Sequence, residues 1–545
     1  MNFPKLMAGL TLASASAFGQ AFLTSESSYL NATPTANFSF NPIVTVGDRV
    51  PATGGTAGAE FAFAGIPDAM GLYKDSVTGE NILFCAHELG NTTLTTPIVG
   101  QTALRGAFVS RFVLANTTGA VVSGGLAHRD LFLENTFQAN RPPQDGDAVA
   151  FTRFCSGSFA GREHGMDRPI FITNEETFGS ASYNTANGAQ AVAIADGKMY
   201  TLPDLGRVGR ETCIVQPRRD EKTVIINTED AGAPSFVYMY VGTKQRRSNS
   251  VLDKNGLTNG KVYVLCGRDA HHNEGTFTSG SLPVKWVEIV GGGAMTDANL
   301  LAAADTAGAF GFVRVEDAEF DPVQPTRSVF LATTGGSLSN RLGRLYELTM
   351  NPTNPIANGT LNVVYNADRI VYPAGTYSGA AFGTLTGGSP TGNLGTYAPG
   401  AIGTTDYPVS IDNIAVSKDF IVINEDRNSP ADAVFTAFAR NGGVWTLNRN
   451  AAYAAKLQST FNYAYVQSRD ASTGHTAGLW ESSGVIASDA IFGPGTFIIN
   501  VQAHIGTTSR MRRNISKPGG GTYTQAEAVA LFAEDGQVLI MRPTP

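Results

Sequence analysis

Acidic side chains recur at the ends of apolar runs in this chain. In FIVINEDRN, from Phe420, the acids Glu425 and Asp426 close five strand-forming residues. Similar runs are NILFCAHELGN from Asn81, RPIFITNEETF from Arg168, KTVIINTEDAG from Lys222, RSVFLATTGGS from Arg327 and GTFIINVQAHI from Gly495. Ahead of each run stands one polar residue in an apolar frame: Asp68, Cys155, Glu211, Glu316, Asp412 and Asp489. Asp68 precedes Glu88 by 20 residues and Cys155 precedes Glu175 by 20, Glu211 precedes Glu229 by 18, and Asp412 precedes Glu425 by 13. Carboxylates brought together repel one another, and removing each from water costs several kcal/mol. Too few Lys and Arg stand nearby to neutralise so many, and multivalent cations would do so. The expected ligands are therefore oxygen donors, which suit calcium. The Cys155 thiolate is a poor calcium ligand and favours a transition metal, iron or zinc, so a mixed site is the sharper expectation. Arg314 stands two residues before Glu316, on the same side if the segment is a strand. A guanidinium matches phosphate oxygens in pairs, so Arg314 is the candidate for gripping an anionic substrate. The plainer alternatives are acids that cap exposed turns and an Arg314 that only pairs with Glu316 or Asp317. Capping alone does not require the same order of elements six times.

The elements that must position these residues are strands. Each acidic run is followed by another strand-like segment: AFVSRFVLA, GKMYTLPDL, SFVYMYVGT, GRLYELTMN, GGVWTLNRN and QVLIMRPTP. A unit of antiparallel strands repeated six times predicts an all-β fold, a six-bladed β-propeller with loop insertions. Candidate insertions are residues 377–400 and 245–260. In a propeller the innermost strands line a central channel, which would bring the recurring polar residues onto one axis. The propeller is expected to be one domain, residues 22–545. Two β-sandwiches in tandem would need a mid-chain linker, and none is evident.

The 545 residues are 42% hydrophobic and 16% charged, with 61 Gly and 26 Pro, a balance that favours strands and turns over long amphipathic helices. A net charge of −7 gives no electrostatic case for nucleic acid. Residues 1–21 read as a Sec-type signal peptide, with Lys5 ahead of a short apolar stretch, so the protein is expected to be secreted or periplasmic. No stretch is long and apolar enough to span a membrane. The four cysteines, Cys85, Cys155, Cys213 and Cys266, form no CxxC pair and leave disulfide pairing open. No Ser-His-Asp order, Walker loop or HExxH motif is present, and His271-His272 reads as surface.

In order along the chain, CAHELGN, RFCSGS with FITNEE, GRETCIV, FVRVEDAEFDP with FLATTGG, GRLYEL, SIDNIAVSKDFIVINED and WESSGVIASDAIFGPGTFIINVQAH resemble the PhoX-type alkaline phosphatases, over residues 60–504. That resemblance implies a propeller with a central calcium and iron cluster. It implies Cys155 as the iron ligand, Glu88, Glu211 and Glu316 as bridging carboxylates, and Arg314 as the phosphate-binding residue. Glu229, Asp412 and Glu425 are implied calcium ligands. Three features depart from the family: SGSFAGREHGMD replaces its Thr-Pro-Trp-Gly run, a substrate-gripping lysine near the cysteine has no counterpart, and the leader reads as Sec-type where the family is commonly exported by the twin-arginine route. The expected function is hydrolysis of a small phosphoester by a metal-dependent, monomeric enzyme. The alternative is a non-enzymatic, calcium-stabilised propeller acting as a binding module.

Overall fold

The computed structural model describes residues 21–544 apart from 57, 179–182, 184–186, 338, 370–406, 428–434, 436–440, 450–454, 462–479, 505–510, 512 and 513. The leader expected over residues 1–21 lies, except for Ala21, outside the described residues, as does the insertion expected over 377–400. The insertion expected at 245–260 connects two strands of one blade and contains a short helix, Val251–Lys254.

Six antiparallel units surround a common axis. Their inner strands are Pro67–Lys74, Phe154–Ala160, Arg210–Val215, Val315–Phe320, Ile411–Val416 and Glu481–Ala487, in blades 1 to 6. Each packs against the next, and the sixth packs against the first. The second strands are the apolar runs recognised in the sequence: Asn81–His87, Ile170–Glu175, Lys222–Glu229, Ser328–Thr333, Phe420–Glu425 and Phe497–Ala503. Their near-continuous burial reflects a place between neighbouring blades, where both faces are covered. Blades 3 and 4 share an edge, because Ser281–Ile289 pairs with Gly359–Asn366 and makes one nine-stranded sheet. In blade 6, Phe38–Thr45 pairs with Asp535–Pro543 and joins the two ends of the chain.

Polar side chains of one register tie four of the blades to the next. Asn174 donates to the Arg210 and Glu211 carbonyls, both at 2.8 Å, and Thr228 donates to the Glu316 carbonyl. From the same register, Asn424 donates to the Ser483 carbonyl and Asn500 to the Asp68 carbonyl. The last of these bonds closes the ring. Blade 6 comes so near blade 1 that a Cβ at Gly484 would stand 2.5 Å from the Asp68 carbonyl oxygen, so no larger residue fits there.

Candidate metal centre

Every inner strand carries a β-bulge near its start. The pairing slips after Pro67, Phe154, Arg210, Val315, Ile411 and Ser482. A bulge inserts an unpaired residue and re-aims its side chain. The first bulged residues are Asp68, Cys155, Glu211, Glu316, Asp412 and Ser483. The sixth place, expected for Asp489, thus belongs to Ser483. Asp489 begins a short helix, where its Oδ1 accepts from the Gly495 N–H at 2.7 Å.

A second set comes from the ends of the second strands. Opposite the residue ahead of each bulge stand His87, Glu175, Glu229, Thr333, Glu425 and Val501. The residues that follow them are Glu88, Glu176, Asp230, Thr334, Asp426 and Gln502. Adjacent residues on a strand point to opposite sides, so each doublet divides its labour. The first residue secures backbone. Glu175 accepts from the Thr152 and Gln190 N–H groups, both at 3.1 Å, Glu229 from Phe236 N–H at 3.0 Å, and Glu425 from Val409 N–H at 2.7 Å. The second residue meets the bulged set. Gln502 donates to Asp68 and Glu88, Thr334 donates to Glu316 at 2.6 Å, and Arg314 links Asp230 to Glu316.

Ligand atoms converge in three overlapping groups, each within 4.8 Å: Asp68, Glu88 and Cys155; Cys155, Glu176 and Glu211; and Glu211, Glu316 and Asp412. Glu88, Cys155, Glu211, Glu316 and Asp412, all singled out from the sequence, are thus brought together. Glu229 and Glu425 join none of these groups among the described residues, because their carboxylates turn to backbone amides. Their neighbours Asp230 and Asp426 face the cluster instead, and Glu176 in blade 2 does the same.

Burial, and then crowding, raises several of these carboxylates toward their protonated forms. Burial, and then Glu88, push Asp68 up to about 8. Burial followed by neighbouring acids raises Glu211, Asp412 and Glu481 well above the usual carboxylate range. Burial also raises Glu176 and Glu316, with Arg153 and Arg314 respectively opposing it. Burial, Asp68 and Glu211 hold the Cys155 thiol far above its ordinary value; its Sγ lies 3.1 Å from Asp68 Oδ2 and 3.0 Å from Glu211 Oε1. All four cysteines are free thiols. A cation would replace those protons, because carboxylate and thiolate bind metals deprotonated.

Two arginines reach these acids from equivalent places. Two residues before the bulge, Ile66, Arg153, Arg314 and Ser410 adopt left-handed backbone with φ of 49°, 48°, 51° and 49°. Arg314 therefore precedes its strand, and it reaches Glu316 from this turn, whereas the sequence reading placed both on one strand face. Its Nε and Nη2 lie 2.9 and 3.1 Å from Asp230, and Nη2 lies 2.9 Å from Glu316 Oε1. Arg153 donates to Glu88 at 2.9 Å and to Glu176 at 2.6 Å. The backbone N–H groups of Glu88, Glu176, Thr334 and Asp426 bond the carbonyls of Ile66, Arg153, Arg314 and Ser410. This ties each second-strand end to its own turn.

Sequence reasoning also missed His504 and Glu274. His504 bonds Glu534 and Gln502, both at 2.9 Å. Glu274, fully buried, accepts from the N–H of Val313 at 2.8 Å and from Asn340 and Tyr346. It supplies in blade 4, next to Arg314, the backbone acceptor that Glu175 and Glu425 supply in their own blades; Thr333 stands where those acids would be.

The chain resembles known proteins in sequence profile and in fold. The family profile of the alkaline phosphatase PhoX matches residues 197–503, more than half the chain, including Glu211, Arg314, Glu316, Asp412 and Asp426. Among solved structures, Pseudomonas fluorescens PhoX in complex with vanadate, a transition state analogue, aligns over 96% of this chain and 97% of its own, with a TM-score of 0.60 and 13% identity. A thermostable family-43 glycoside hydrolase reaches a TM-score of only 0.21, with 11% identity over 55% of this chain and 88% of its own. No curated protein matches the chain. With the profile covering three of the four acidic bulged positions, Glu211, Glu316 and Asp412, and also Arg314, the chain belongs to the PhoX alkaline phosphatase family.

Proposed function

We propose that the channel hydrolyses small phosphoesters at a cluster of calcium ions, with iron at the Cys155 thiolate. As a member of the PhoX alkaline phosphatase family the chain is a metal-dependent phosphatase; the ions, the residue roles and the place of action are our reading. The observation that carries it is the convergence of seven ligands, Asp68, Glu88, Cys155, Glu176, Glu211, Glu316 and Asp412, in groups within 4.8 Å. The donor set fits metal: Asp426 Oδ1 is buried without a hydrogen-bond partner among the described residues, and the neighbouring acids are too crowded to ionise together. The oxygen donors suit calcium, and Cys155 adds the soft donor that iron accepts. Bound there, the ions would polarise phosphoryl oxygens and activate water.

The chain's own residues do the rest. Arg314 binds the phosphoryl group most tightly as charge develops, while Asp230 and Glu316 fix its guanidinium. Arg153 adds a second cationic group near Glu88 and Glu176, in a chain without the family's gripping lysine. The non-catalytic binding-module reading is not favoured by family membership.

The leader-like N-terminus supports export to the periplasm or medium, and among the described residues no helix is long and apolar enough to cross a membrane. The pairing of Phe38–Thr45 with Asp535–Pro543 supports residues 22–545 as one propeller domain. The test is elemental analysis of the purified protein beside hydrolysis of p-nitrophenyl phosphate. Calcium, and iron that disappears in Cys155→Ser, are expected with turnover. A preparation free of both metals that still hydrolyses the ester would overturn the reading.

A further inference from the structure

The positions two residues before the bulges hold Arg153 in blade 2, Gly209 in blade 3 and Arg314 in blade 4. Arg153 serves the acids of blades 1 and 2, and Arg314 those of blades 3 and 4. Between them, blade 3 presents a glycine. Phe178, two residues beyond Glu176, lays its ring against that glycine: a Cβ at Gly209 would stand 2.4 Å from Phe178 Cε1 and 2.5 Å from Cζ. Phe178 nevertheless stays 48% exposed as a residue. One face of the ring packs on Gly209, and the half-exposure leaves the rest of it open. It offers a flat apolar surface, two residues along the chain from Glu176 and against the glycine that stands two residues before Glu211.

We propose that Phe178 is a specificity-determining residue that stacks on the alcohol portion of the substrate. The preferred esters are phosphate monoesters of planar, aromatic alcohols. This rests on the phosphatase reading of the adjoining cluster. Gly209 is part of the device, because any side chain there would displace the ring. A glycerol or short alkyl ester has no flat face and gains nothing from Phe178.

The experiment compares the parent with Phe178→Ala and Phe178→Trp, using phenyl phosphate and glycerol 2-phosphate as substrates. Phe178→Ala is expected to lower kcat/KM for phenyl phosphate about 3- to 10-fold, the range that stacked aromatic contacts supply. Glycerol 2-phosphate should change less than about twofold, and Phe178→Trp should restore the phenyl ester. Affinity of the metal-loaded protein for phenylphosphonate should fall in Phe178→Ala while that for methylphosphonate holds. An equal change for both esters and both phosphonates, or none for either, would overturn the proposal. A parent that hydrolyses neither ester would contradict the phosphatase reading instead, and the phosphonate pair would still decide the role of Phe178.

Discussion

At the end of the second strand in blade 5, Glu425 accepts the Val409 N–H while Asp426, one residue on, is buried toward the cluster with its Oδ1 unpartnered among the described residues. The two acids should fail differently. Glu425→Leu removes the carboxylate that Val409 N–H bonds, a loss of about 1–3 kcal/mol of stability, and should leave metal content alone. Asp426→Asn should keep the fold and weaken calcium binding. Melting curves and elemental analysis on both variants check this, and interchanged phenotypes would contradict the division of labour. The sequence displays both acids but not their directions. Side chains alternate with a period of two, so a slip of one residue reverses every assignment. The bulges supply such a slip, and no shared residue marks them: a proline, Pro67, stands ahead of the bulge only in blade 1, and a glycine, Gly484, lies within it only in blade 6. The reading named Glu88 in blade 1, whose carboxylate does lie in the cluster, and in blades 3 and 5 it named Glu229 and Glu425, where Asp230 and Asp426 are the ones that face the cluster. The doublets Glu175-Glu176, Glu229-Asp230 and Glu425-Asp426, aligned on their preceding Asn174, Thr228 and Asn424, were the signal that could have separated them. Arg314→Ala should lower kcat/KM about 10- to 100-fold, as expected for a charged hydrogen bond worth roughly 1.5–3 kcal/mol. The metal content should persist, because an arginine is not a ligand. Unchanged kinetics would remove it from the substrate's path.

The unit that positions these residues is a left-handed turn followed by a bulge and a doublet. Its strands were legible as apolar runs, since six recurrences of one order leave few other folds. The turn was not, because left-handed backbone ordinarily announces itself by glycine or asparagine, and here it is taken by Ile66, Arg153, Arg314 and Ser410. Arg153 was invisible for that reason. Blade 4 shows how the turn is held when the doublet lacks an acid: Glu274, reached from outside the blade, accepts the Val313 N–H beside Arg314. Glu274→Gln should therefore act through Arg314. It should lower kcat/KM in the wild-type background and add little in an Arg314→Ala background, a non-additivity that a double-mutant cycle measures. Full additivity would mean that Glu274 serves folding alone.

Across the whole molecule, the channel concentrates acid at one end and apolar surface at the other. The far ends of the inner strands enclose a cavity of about 280 Å³ lined by Met70, Phe159, Ile214, Phe320, Val416 and Ile486, with Glu319 among them. Burial, and then Asp317, push Glu319 up to about 8 from an ordinary value of 4.5. The folded state thus binds a proton that the unfolded chain releases above about pH 4.5. This contribution to stability is complete below that pH and is lost as pH rises through about 8. Melting temperature of the calcium-saturated protein should depend less on pH between 5 and 8 in Glu319→Gln than in the parent, because an amide does not titrate; parallel curves would contradict this. At the acidic end the same crowding of charge is answered by cations, and that is the account's central claim. It is tested most directly by hydrolysis of p-nitrophenyl phosphate on one preparation, before chelation, after stripping to metal-free protein, and after its metals are returned. The account predicts activity that vanishes on stripping and comes back on reloading. Full activity in the stripped protein, or none in any metal state, would contradict it.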